Sequence, residues 1–224
     1  MFLCDGDALI APQHLLEDVL VEIRNVLPGF TRVSSYANAK SIASKSTDEL
    51  KVLADLGLKI LHIGLESGSD SVLENLEKWG TAQQIVEQAQ RVRSIGMRLF
   101  ATVLLGAGGR NLSAEHACET GLALSRMDPH FVGALTLMPC RGTKLYSQVE
   151  SGSFVLPSPK EMIYELRAML ENTNLSSGIF YANHASNYLP LQIRMPREKE
   201  KALAYIDNVL LKDGPLKPEW MRGL

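Results

Sequence analysis

Ile60-Leu61-His62-Ile63-Gly64-Leu65-Glu66-Ser67-Gly68 is an apolar run that stops on a carboxylate, a hydroxyl and a glycine. A short, branched, nearly continuous apolar run predicts a strand covered on both faces, here Lys59 to Leu65. Four more runs of this kind flank it: Phe2-Leu3-Cys4, Thr31 to Ser35, Arg98 to Leu105 and Phe131 to Met138. The segments between them read as helices. Strands alternating with helices predict a parallel sheet joined by crossover helices.

The helix boundaries are written in local chemistry. Pro12 opens the first helix, whose Leu15, Leu16, Val19, Leu20, Ile23 and Val26 are expected on one face, and Pro28-Gly29 closes it. Ser46 with Glu49, and Thr81 with Gln84, have capping-box spacing, while Gly57 and Gly96 suit the stops. Ser113 is expected to cap the next helix. Five βα units then occupy about 150 residues, against roughly 250 for an eight-stranded barrel. After Gly152 the pattern changes: Ser158-Pro159-Lys160-Glu161 opens a helix, Gly178 to Pro190 reads as a loop, and Arg197 to Leu211 as a final helix. The expected division is a partial barrel over 1–152 and a helical C-terminal extension over 153–224.

Composition excludes some classes of function. The chain has 224 residues, 46% of them hydrophobic, with 23 Lys and Arg against 25 Asp and Glu. No basic cluster marks a nucleic-acid surface, and no apolar stretch is long enough to span a bilayer. Three widely spaced cysteines, Cys4, Cys118 and Cys140, fit reduced thiols and a cytoplasmic protein better than a disulfide framework.

In parallel βα folds, ligands bind beyond the C-terminal ends of the strands. The residues there are Asp5-Gly6-Asp7, Ser34-Ser35-Tyr36, Glu66 to Ser69, Gly106 to Gly109 and Pro139-Cys140-Arg141. Glu66 follows a buried strand, so its carboxylate needs a partner: a ligand hydroxyl or ammonium, a helix start near Asp70, or a neighbouring strand. Asp7 is a second ligand candidate, or part of a polar turn. The glycine run 106–109 could admit a phosphate, or serve only the geometry of the turn. His184 could contact a substrate or pack in the tail. Arg141 and Tyr146 are ligand contacts or ordinary surface residues, and His62 and Cys118 read as core.

The ordered set Phe2 to Leu9, Ile63 to Gly68 with Ser69-Asp70 and Lys78, Val103 to Gly106, and Leu135 to Tyr146 resembles the radical S-adenosylmethionine (SAM) superfamily. It is close to the branch that includes the oxygen-independent coproporphyrinogen oxidases and methylthiotransferases. Asn183 to Pro190 resembles a segment of an uncharacterised branch. The resemblance implies a partial (β/α)6 TIM-like barrel, of the α/β class, and an oxidoreductase-like chemistry in which a [4Fe-4S] cluster cleaves SAM reductively. It implies SAM contacts at Gly6, Asp7, Ser35, Glu66, Ser67, Val103, Gly106 and Leu137, and a reductant such as flavodoxin or ferredoxin. The substrate, small or macromolecular, is not implied.

The family's CxxxCxxC motif is absent from this chain. A first βα unit of about 30 or more residues is therefore expected to be missing, and the chain to be inactive alone. Two alternatives stay open. One is a non-catalytic SAM- or nucleotide-binding relative that serves as a binding module or partner subunit. The other is an unrelated barrel enzyme binding phosphate at Gly106 to Gly109.

Overall fold

The computed structural model describes residues 1–4 and 6–223. Seven strands form one sheet in chain order: β1 (Phe2–Leu3), β2 (Val33–Ala37), β3 (Leu58–Glu66), β4 (Arg98–Leu105), β5 (Phe131–Thr136), β6 (Gly178–Tyr181) and β7 (Gln192–Met195). Strands β1 to β6 pair in parallel and β7 returns antiparallel to β6. The intervening helices are α1 (Gln13–Val26), α2 (Ala39–Ala43), α3 (Thr47–Asp55), α4 (Asp70–Asn75), α5 (Ala82–Ser94), α6 (Gly109–Met127), α7 (Lys144–Glu150), α8 (Pro159–Asn172) and α9 (Lys199–Leu211). Sequential parallel neighbours with right-handed crossovers put every crossover helix on one side of the sheet, as in a TIM-type barrel. Among the described residues β1 pairs only with β2 and β7 only with β6, so the sheet is not closed.

The predicted capping boxes form. Ser46 Oγ accepts from Glu49 N–H at 3.1 Å while Glu49 Oε2 accepts from Ser46 N–H at 2.6 Å, and Thr81 with Gln84 and Ser158 with Glu161 repeat the arrangement. Ser113 does not cap: α6 starts four residues earlier, after Gly108, and Ser113 reaches across to Glu165 on α8.

Burial alternates sharply along the central strands, which corrects the expectation of cover on both faces. Leu61, Ile63 and Leu65 of β3, and Leu99, Ala101, Val103 and Leu105 of β4, are all buried beneath the helices. Their neighbours His62, Phe100 and Phe131 project from the other, concave face and are only half-buried. One face is core; the other is open.

The segment after Gly152 carries α8 and α9 and adds two strands, the first inside the expected loop from Gly178 to Pro190 and the second just after it. Gly178–Tyr181 extends the parallel sheet beside β5, and Gln192–Met195 closes the edge. Gly178 suits that start, since a Cβ there would lie 2.7 Å from the His130 carbonyl. A four-residue strand next to a glycine, and a second of alternating polar pattern, fall below the length that periodicity resolves. No described helix is long and apolar enough to cross a membrane.

Candidate functional site

The C-terminal edge of the sheet is dominated by Glu66. Strand β3 bulges between Gly64 and Glu66, whose backbone takes φ 61°, in the left-handed region. A carboxylate-bearing residue there stores of the order of 1–3 kcal/mol, and such strain concentrates at functional sites. The bulge turns the Glu66 side chain back over Gly64, where a Cβ would sit 2.1 Å from Oε1. Gly64 is thus the residue that leaves room for this carboxylate. Oε1 accepts from Lys78 Nζ at 2.9 Å, with the two side chains 17% and 30% exposed. Lys78, from the loop after α4, supplies the partner that burial demands. Oε2 takes no protein hydrogen bond among the described residues.

Ser67 parts company with Glu66. It is fully buried, and its Oγ bonds His116 Nδ1 at 2.8 Å and accepts from Ser69 N–H at 3.0 Å. Gly68 N–H donates to Thr120 Oγ1 at 2.8 Å. These residues dock β3 onto α6 instead of lining the edge.

Beyond β1, Gly6 has φ +70° and open space around it. Asp7 Oδ1 accepts from Ser41 Oγ at 2.9 Å, whereas Oδ2 is buried with no hydrogen-bond partner among the described residues. Nearby Lys45 is 6% exposed and donates to the Ala11 carbonyl at 3.0 Å. Burial lowers its pKa, with Glu49 and Asp7 opposing that shift.

The remaining expected contacts divide by strand face. Ser35 and Val103 are 1% and 0% exposed and point under the helices, so neither faces the open side. Their neighbours Ser34, Tyr36, Thr102 and Leu104 occupy the opposite face by alternation. Leu137 follows β5 in the phase of Gly133 and Leu135, is half-buried, and anchors its N–H on the Leu105 carbonyl at 2.9 Å.

The glycine run 106–109 is filled by protein. A Cβ on Gly106 would lie 2.4 Å from Met162, and one on Gly109 3.2 Å from Phe154. Arg110 N–H, at the start of α6, already donates to the Val155 carbonyl at 2.8 Å. This packing removes the phosphate cradle expected as an alternative. Gly106 N–H instead donates to Glu165 Oε1 at 2.5 Å, and Glu165 Oε2 bonds Ser113 Oγ. Burial pushes the Glu165 carboxyl up to about 7, against the pull of the Ser113 and Gly106 bonds. Burial pushes the adjacent His116 imidazole down to about 4, and its Nε2–H donates to the Leu104 carbonyl at 2.9 Å.

The concave face holds a cavity of about 530 Å³, lined among others by Arg32, His62, Phe100, Gly133, Tyr181 and His184. His62, expected as core, belongs to this open wall: its ring stacks on Phe100 with centroids 4.6 Å apart. His184 Nδ1 accepts from Ser186 N–H at 3.2 Å. Arg141 is exposed and Tyr146 half-buried, and neither lines this cavity. Cys4 and Cys140 are exposed and Cys118 is half-buried, all free. Among the described residues no three His, Cys, Asp or Glu side chains are placed to hold a metal ion.

Nothing local in the sequence marks Arg32 or the His116–Glu165 pair. Forty-nine residues separate the latter two, and only folding brings α6 against α8. Lys78 was part of the quoted pattern, but nothing local marks it as the partner of Glu66.

No protein-family model matches the chain. It is 23% identical over 181 residues to the heme chaperone HemW of Bacillus subtilis (strain 168), covering 80% of this chain and 47% of that protein. It is 29% identical over 176 residues to the mitochondrial radical S-adenosyl methionine domain-containing protein 1 of Bos taurus, covering 76% and 39%. The chain thus spans less than half the length of these curated relatives. Among solved structures, an N-terminally deleted Elp3 from Methanocaldococcus infernus superposes with a TM-score of 0.63 at 13% identity, over 97% of this chain and 59% of that one. The coproporphyrinogen III oxidase HemN from Escherichia coli gives 0.57 at 15% identity, over 74% and 38%. The structures agree on the barrel-type α/β fold, and the sequence relatives add that this chain is a homologue of radical SAM superfamily proteins.

Proposed function

We propose that the C-terminal edge of β1 to β5 holds SAM, and that the chain is the barrel part of a cytoplasmic radical SAM enzyme with an unidentified substrate. The observation that carries this reading is Glu66, a carboxylate kept in a left-handed backbone over Gly64 with Oε2 unengaged by the described residues. A ribose hydroxyl would donate to Oε2 while Lys78 holds Oε1 in place. Asp7 supports the same ligand from β1. Its buried, unpartnered Oδ2 is the acceptor an ammonium group would satisfy with a charge-assisted bond. Two strand spacings, about 10 Å, separate β1 from β3. Gly6 would leave room beside that ammonium. Leu137, and Leu104 in place of Val103, are placed on the open face to cover the adenine.

When bound, SAM would supply a 5′-deoxyadenosyl group released by an electron from a reduced [4Fe-4S] cluster, itself fed by a flavodoxin- or ferredoxin-like reductant. The three free cysteines of this chain do not fit such a cluster, so no step through it follows from these residues. That same mismatch favours a second reading: a binding module that holds SAM or another nucleotide without cleaving it.

Titration of SAM into the isotope-labelled chain, followed by amide NMR shifts, tests the shared claim. Saturable shifts are expected at Glu66, Gly6 and Leu137. Glu66→Gln keeps the shape but loses the charge, and is expected to weaken binding about tenfold, the loss of one charge-assisted bond. A folded chain whose edge amides ignore SAM, or a Glu66→Gln variant that binds as well as the parent, would contradict the proposal.

A further inference from the structure

We propose that the N-terminal edge of the sheet carries a binding site for a diphosphate group, at the opposite end of the strands from Glu66. Four elements bring donors together there: Arg98 at the start of β4, His130 just before β5, Ser177 just before β6, and Arg194 on β7. They line an open cavity of about 460 Å³, and none of its lining residues is acidic. The nearby carboxylates are already engaged. Asp128 pairs with Arg93 at 2.6 Å and accepts from Ser176 N–H at 2.8 Å. Glu198 pairs with Arg197 at 3.5 Å and accepts from Arg194 N–H at 2.9 Å. Arg98 and Arg194 keep uncompensated guanidinium groups: neither makes an ion pair among the described residues.

The arrangement selects both the charge and the size of the ligand. The Arg98 guanidinium lies over the Phe131 ring, 5.4 Å from its centroid, which holds its fork above β5. Leu99 N–H donates to His130 Nδ1 at 3.3 Å, so the neutral ring carries its proton on Nε2. That N–H has no partner among the described residues. Burial pushes the His130 imidazole down, and Arg93 and Arg98 add to the shift while Asp128 opposes it. A positive field that keeps an imidazole neutral is one that a bound anion relieves. Guanidinium forks match phosphate oxygens bidentately, and imidazole and hydroxyl add single bonds. Arg98 and Arg194 stand three strand spacings apart, about 14 Å along the sheet. A single tetrahedral anion meets one fork; a diphosphate meets both.

Calorimetric titration of the chain with inorganic pyrophosphate and with orthophosphate, at physiological salt, is the test. Pyrophosphate is expected to fill one saturable site, about tenfold more tightly than orthophosphate, the difference of one charge-assisted contact. The His130 imidazole, followed by NMR, should titrate at higher pH when pyrophosphate is bound. Arg98→Gln and Arg194→Gln should each weaken pyrophosphate about tenfold. Both residues are exposed, so the variants are expected to fold. Arg24→Gln removes the same charge from an exposed position of α1 outside this cavity and should change nothing. Glu66→Gln should also change nothing, because this site does not rest on the SAM reading. A folded chain that shows no saturable binding, or equal affinities for the two anions, would overturn the proposal. So would a loss in Arg24→Gln as large as that in Arg98→Gln, or a His130 titration indifferent to pyrophosphate.

Discussion

Replacing Gly68 by alanine is expected to cost about 3 kcal/mol of folding stability, at the upper end of what overpacking usually costs. A Cβ at Gly68 would lie 2.1 Å from the Glu119 carbonyl oxygen, 2.3 Å from its carbon and 2.6 Å from Thr120 N. All three atoms are α6 backbone, so no rotamer change relieves the contact. Nor can α6 retreat. On its far side Gly121 packs against α8, where a Cβ would meet the Met169 carbonyl oxygen at 2.6 Å. Either β3's exit loop withdraws, breaking the Gly68–Thr120 and Ser67–His116 bonds, or two helices shift together. Urea unfolding of Gly68→Ala should show a lowered midpoint with an unchanged slope, and a fall in Tm of about 10 °C is expected for a chain of this size. Gly142→Ala is the control: its φ is +86° but nothing lies within 4 Å of a Cβ, so its cost should be smaller. If the two variants unfold alike, the close approach of loop and helix does not limit stability.

This expectation gives the Ile63 to Gly68 motif a divided role. Glu66 faces the edge where a ligand would sit, while Ser67, Gly68 and Ser69 grip α6 through its His116, Thr120 and Glu115 side chains. A strain of a few kcal/mol at Glu66 persists only if the residues around it are fixed. The docking of the next three residues supplies that fixity. A loosened loop would therefore weaken ligand binding without any change in the carboxylate itself.

The strands and caps were legible because their causes are local. A branched apolar run makes a strand, and a hydroxyl three residues before a Glu or Gln makes a cap, wherever they occur. The face each strand residue occupies was less legible, and the errors were one residue wide. Ser35 and Val103 were expected at the ligand, and both lie under the helices. With period-two alternation a shift of one residue exchanges the faces. A run such as Leu61 to Leu65, apolar at nearly every position, does not say which face the helices cover. His62 reads as core because a ring inside an apolar strand gives no sign that its face is open. The polar groups that matter most, Lys78 with Glu66 and His116 with Glu165, meet through chain reversals of 12 and 49 residues. Such pairings are set by topology, which the local pattern leaves open.

The His116–Glu165 pair should make the stability of Glu165→Gln fall more steeply toward acid than that of the parent. Both side chains are buried, at 0% and 2% exposure. The Glu165 carboxyl, pushed up from 4.5 to about 7 by burial, keeps its proton in the fold after an unfolded chain would have lost it. Its contribution is complete below about pH 4.5 and is lost as pH rises toward 7. The His116 imidazole, pushed down from 6.5 to about 4 by burial, stays neutral in the fold where an unfolded chain would take up a proton. Its contribution is complete above about pH 6.5 and is lost as pH falls toward 4. At about 1.4 kcal/mol per pH unit, each amounts to roughly 3 kcal/mol, with opposite sign. The two slopes cancel over most of this range, so the pair together adds little pH dependence to the parent between about pH 4.5 and 6.5. Glu165→Gln removes one slope while its amide oxygen still accepts from Gly106 N–H and its nitrogen still meets Ser113. Unfolding by urea from pH 4.5 to 7 should show the variant losing stability toward acid relative to the parent, by about 3 kcal/mol. Taking the difference between the two chains removes the groups that titrate alike in both. A variant whose pH profile runs parallel to the parent's would show that Glu165 is ionised in the fold, and that the buried carboxylate is held as an anion by Gly106 and Ser113.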